Sequence, residues 1–198
     1  MSAASATVPA AEFRWSPAVR GQLGMYCLIA AEAAIFTIFV VAYLFYLGKS
    51  LNGPTPREVL HFPVAMTICL LSSSVSIHLA ASSLRKGRIG TFAGWWFLTL
   101  ALGAAFLLGT ALEWRHLIYE KRLTIQTNLF GTTYYSLVGL HAFHVVVGLV
   151  GLSTVLLLTL LGSVRRQHSQ RVDVFALYWH FVDSVWIVVV MVVYVIGR

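Results

Sequence analysis

The sequence predicts an all-α, polytopic membrane protein built as a bundle of five transmembrane helices. Of its 198 residues, 59% are hydrophobic and only 11% are charged, too few to coat a soluble surface of that size. Mean hydropathy is +0.81. The apolar residues fall into five runs, roughly 22–47, 63–84, 91–113, 131–161 and 175–197, each long enough to cross a bilayer as a helix. The formal charge of +7 does not point to nucleic acid, because the basic residues sit in short clusters between these runs and not on one face. When alternate loops are assigned to opposite sides, the side of the N-terminus holds eight lysines and arginines and the other side six. That bias places the N-terminus in the cytoplasm.

Residues 1–21 are small, polar and basic, and are expected to form a mobile cytoplasmic tail ahead of a single membrane domain, 22–198. No cleavable signal peptide is evident: the first apolar run has the length of a full span, so it is expected to stay in the mature protein. That run carries Glu32, on a helical stripe with Leu28, Phe36, Phe39 and Tyr43 that should face the bundle. A carboxylate at such depth must be protonated, paired or facing water. Glu32 is therefore either a proton or headgroup site or a neutral acid hydrogen-bonded to a neighbouring helix. Cys27 and Cys69 lie inside apolar runs with no CxxC or histidine at metal spacing, so packing is their expected role. Trp95 and Trp96 open the third span, and Trp114, next to Glu113, closes it, at the headgroup level that amphipathic rings prefer. The connections 48–62 and 114–130 are the longest, leaving no room for a soluble domain.

The fourth run places Tyr134, Leu137, His141, His144, Gly148 and Gly151 within one arc of about 100°. Glycines let a second helix approach and histidines can hydrogen-bond across the contact, so this is a helix interface. Histidines at i, i+3 could also ligate a metal or, with His180, a haem. No helix supplies the Glu-x-x-His motif of a di-iron bundle, and the structural pairing is preferred. In the fifth run Trp179, Asp183, Trp186 and Val190 share a face, with His180 three residues before Asp183. Glu32, His144, His180 and Asp183 are expected at similar depth, in one buried polar layer tying the first, fourth and fifth spans.

The motifs YWHFVDSVWIVVVMVVYVI and FGTTYYSLVGLHAFHVVVGLVGL resemble the last two helices of subunit III of haem-copper terminal oxidases. LGMYCLIAAEAAIFTIFVVAYLFY resembles the family's glutamate-bearing helix, PVAMTICLLSSSVSIH its serine-rich helix, and LGTALEW the end of the next. Seven-helix members have two further N-terminal helices, whereas this chain starts at the helix carrying Glu32, as the short five-helix bacterial members do. The resemblance implies a non-redox subunit without a cofactor or metal of its own. It would dock with subunit II on subunit I, which holds haem and copper, in the bacterial plasma (inner) membrane. It would steady the active site during turnover, support proton uptake and hold structural phospholipid, with a larger respiratory assembly possible. By position, Glu32, His141, His144, His180, Asp183 and Trp186 match the family's polar and aromatic residues, and Glu113–Trp114 its Glu-aromatic pair. Cytochrome c oxidases, quinol oxidases and nitric oxide reductase accessory proteins share these motifs. A reading from another class is a small proton channel or transporter using the same acids and histidines. Against it stand the odd helix count and the lack of a Gly/Pro-interrupted helix pair.

Overall fold

A computed structural model describes residues 17–50 and 53–197; the expected tail up to residue 16 lies outside the described residues. The elements in order are α1 (Pro17–Tyr46), the single turn α2 (Pro56–Val59), α3 (Val64–Arg85), α4 (Ile89–Tyr119), α5 (Leu129–Leu160) and α6 (Ser169–Val190). A π-helical turn, Met191–Ile196, continues α6. Five of these helices are long and apolar enough to cross a membrane.

The helices exceed the apolar runs in places. Helix α4 runs on to Tyr119, α6 begins at Ser169, and α1 begins five residues before its run. The reason is physical: hydropathy marks the lipid-facing part, while backbone hydrogen bonding carries a helix through its polar ends. Two of the tight turns close on glycines in the left-handed region, Gly87 (φ 74°) and Gly162 (φ 73°). After each, a backbone N–H reaches back to cap the helix end, Arg88 to Ser83 O at 3.0 Å and Ser163 to Leu158 O at 2.9 Å. At the start of α5 the Asn128 side chain accepts from the Gly131 N–H at 2.8 Å.

Helices α5 and α6 form the centre. Helix α6 packs on α1, α3 and α5, while α5 packs on α1, α4 and α6, and α3 and α4 make an antiparallel hairpin. The α5–α6 register follows the heptad of an antiparallel coiled coil, through the contacts Tyr134–Tyr194, His141–Trp186 and Gly148–Trp179. Steps on α5 are seven residues throughout. Along α6 and its continuation the step from Trp186 to Tyr194 is eight, and the π turn begins within it at Met191. Its wider turn returns Tyr194 to the face that a regular helix would have left.

Helix α1 is the least enclosed: in its most apolar stretch 11% of residues are buried, against 56% in the last span. Phe36 and Tyr43 pack inward, but Leu28 is exposed, so the inward stripe holds only over its later part. Cys27 is exposed too, and does not pack in the core. Trp96 departs from its expected place at the membrane edge: it is fully buried, and its indole N–H donates to Leu152 O of α5 at 2.9 Å. The residue lies on the side of α4 that meets α5, so the bundle claims the ring before the headgroups can.

Candidate functional site

Glu32 lies at the midpoint of α1 and His144 at the midpoint of α5, and they meet with Oε2 to Nε2 at 3.0 Å. Glu32 keeps 23% side-chain exposure, His144 only 7%. The other imidazole nitrogen, Nδ1, faces Leu140 O at 2.7 Å. A carbonyl only accepts, so Nδ1 carries a proton. One further proton is then shared across the Nε2–Oε2 contact. With the proton on either atom the pair is neutral overall, which suits a site at mid-span. Phe36 covers the imidazole with ring centroids 4.9 Å apart.

His180 and Asp183 do not join that pair. Both turn to α3, where Ser74, at the helix midpoint, is the common partner. The Ser74 hydroxyl donates to Asp183 Oδ2, and Ser74 Oγ lies 3.0 Å from His180 Nδ1, which donates to it. The expected single layer is thus two separate ties, α1–α5 through Glu32 and His144, and α3–α6 through Ser74, His180 and Asp183. Adjacent depth along a sequence does not fix which side of the bundle a residue meets. Ser74 carries no distinguishing signal within the run Ser72–Ser74.

Two tryptophans extend the α3–α6 seam. Trp179 Nε1 donates to Ser73 Oγ at 2.8 Å and Trp186 Nε1 to Thr67 Oγ1 at 3.2 Å. The Trp179 ring also fills the junction with α4 and α5. A Cβ built on Gly103 or Gly148 would come within 2.8 Å of it. One on Gly151 would sit 3.1 Å from Phe175. Gly103 escaped the sequence reading, since a lone helical glycine is equally compatible with open space, as at Gly94.

His141 is fully buried, stacked on Trp186 (5.0 Å, 29°) and met by the edge of Phe106 (5.6 Å, 87°). Among the described residues neither ring nitrogen has a hydrogen-bond partner. Towards the far end of the spans Glu113 accepts from the Tyr194 hydroxyl at 3.2 Å, with Tyr134 Oη 3.4 Å beyond it. Trp114 packs edge-on against Tyr135, centroids 5.3 Å apart. Among the described residues no three histidine, cysteine or acidic side chains converge as a metal site would need.

The protein family described as cytochrome c oxidase subunit III matches residues 16–198, which take in all five helices and every residue of both ties. The chain belongs to the cytochrome c oxidase subunit III family. Among curated members of that family or its near kin, it is 37% identical over 177 residues to cytochrome c oxidase subunit 3 of Synechocystis sp., covering 87% of this chain and 74% of the relative. It is 31% identical to cytochrome c oxidase subunit 3 of Alkalihalophilus pseudofirmus, covering 88% and 86%. It is 28% identical to quinol oxidase subunit 3 of Bacillus subtilis, covering 88% and 86%. With its family and its five apolar helices, it is a multi-pass membrane protein.

Proposed function

We propose that this chain is the non-redox accessory subunit III of a respiratory haem-copper terminal oxidase, of cytochrome c oxidase type. It sits in the bacterial plasma membrane with its N-terminus in the cytoplasm. It packs beside subunits I and II, which hold the haem and copper, steadies the catalytic core and supports proton uptake while oxygen is reduced to water. Phospholipid fills its outer grooves.

The observation that carries this reading is the family match across the whole bundle, joined to the way the buried polar groups are used. Each tie joins two helices of this chain, Glu32–His144 joining α1 to α5 and Ser74–His180–Asp183 joining α3 to α6. Ties of this kind hold helices in register. They favour a scaffold over a channel, because the two lie on different helix contacts and do not form one file across the bundle.

Gentle purification from the native membrane, followed by a visible spectrum, tests it. The reading predicts haem absorbance in the fraction containing the copurifying subunits, lost when the chain is isolated. A chromophore retained by the isolated chain, or no haem in the copurifying fraction, contradicts it.

A further inference from the structure

Around the α3–α6 tie the bundle presents polar groups outward. His78, one turn beyond Ser74 on α3, is exposed and His180 is half-buried; Ser184, one turn beyond His180 on α6, is exposed with its hydroxyl proton given to His180 O at 2.8 Å, so that its oxygen is left as an acceptor. His78 and His180 are close enough to interact electrostatically. All lie near the middle of their spans, where lipid tails would be, and not at headgroup level. We propose that this patch of Ser74, His78, His180 and Ser184 is the surface on which a transmembrane helix of another oxidase subunit docks, one carrying hydrogen-bonding side chains at the same depth. The inference rests on the accessory-subunit reading and adds to it the face that meets the partner.

The chemistry of the patch selects its occupant. His180 spends Nδ1 on Ser74, so in its neutral form Nε2 is a free acceptor facing outward. Among the described residues no hydrogen bond forms at His78, which offers one donor and one acceptor. Beneath them the buried Asp183 keeps Oδ1 without a partner. Lipid tails satisfy none of these groups, and unsatisfied polar groups in hydrocarbon are costly. A protein helix with its own polar side chains satisfies them. Exposed apolar residues, Leu71 and Val75 on α3 and Ile187 and Val188 on α6, flank the patch and provide the dry contact on either side. The outward side of α1 gives the contrast: Ile35, Ile38, Val41 and Phe45 are exposed and apolar, and the one exposed hydroxyl among them, Thr37, is satisfied within its own helix on Ala33 O at 2.7 Å.

A photo-crosslinking side chain placed at position 78 of the full chain, irradiated in the native membrane, tests the proposal when the crosslinked peptide is sequenced. The expected product joins position 78 to a membrane-spanning peptide of a different oxidase subunit. The variant His78→Leu should lower recovery of the haem-bearing complex with this chain about threefold, from the loss of one interhelical hydrogen bond of average membrane strength. Products with lipid alone, or with a second copy of this chain, overturn the proposal while haem still copurifies, leaving the accessory reading intact. Failure of haem to copurify even with the unmodified chain overturns both.

Discussion

At Glu32 and His144 a single shared proton lets two ionisable side chains sit at mid-span as a neutral pair. Substitutions should separate hydrogen bonding from charge. In Glu32→Gln the amide can donate to a bare Nε2, so stability should stay within ~0.6 kcal/mol, the average for an interhelical hydrogen bond in a membrane. Glu32→Leu leaves that nitrogen orphaned and should cost about 1–3 kcal/mol. Reversible unfolding in mixed micelles measures both; equal stability of the leucine variant and the parent would remove the tie. Ser74→Ala strands both His180 and Asp183 and should also cost about 1–3 kcal/mol. Ser83→Ala should be near neutral, because that hydroxyl bonds only Leu79 O of its own helix, at 2.8 Å. This difference also shows why the polar partners were half legible. Glu32, His144, His180 and Asp183 stand out because ionisable groups in an apolar run demand a reason. A serine can satisfy itself on the preceding turn, so Ser73 and Ser74 gave no sign of the partners they serve.

At the scale of the helices, the apolar and small-residue faces of α5 and α6 were readable from their period alone. Tyr134, His141, His144 and Gly148 all turn inward, as do Trp179, Asp183 and Trp186. What period could not supply was the partner of each face. The sequence places Trp179 only on a face shared with Asp183, Trp186 and Val190, yet its ring stands where α3, α4 and α5 meet. Overpacking should therefore be severe at that junction. Gly103→Ala and Gly148→Ala each place a Cβ 2.8 Å from the Trp179 ring and should cost about 1–3 kcal/mol. Gly94→Ala, on the same helix as Gly103, meets open space and should be neutral or slightly stabilising. Thermal denaturation in detergent reads the three together; equal midpoints would mean that close approach at Trp179 is not what holds α4, α5 and α6 together. Helix ends were the other blind spot, since the polar segments that extend α4 to Tyr119 and α6 back to Ser169 are invisible to hydropathy.

For the whole molecule, the five spans follow from length and hydropathy, and the family from motifs in every span but the order of packing did not. A central α5–α6 pair, an α3–α4 hairpin on one side and a thinly covered α1 on the other can be learned only from contacts between distant residues. That architecture suits a chain finished by its neighbours: α1 is largely uncovered, and a polar patch faces outward across α3 and α6. The proposed role of this chain is to steady a catalytic core that it does not itself contain. The most direct measurement compares oxygen consumption over successive turnovers by the purified complex with and without the chain. The complex lacking it is expected to start active and then lose activity as it turns over, and adding the chain back before assay to restore a sustained rate. An identical, undecaying time course in both preparations would contradict it.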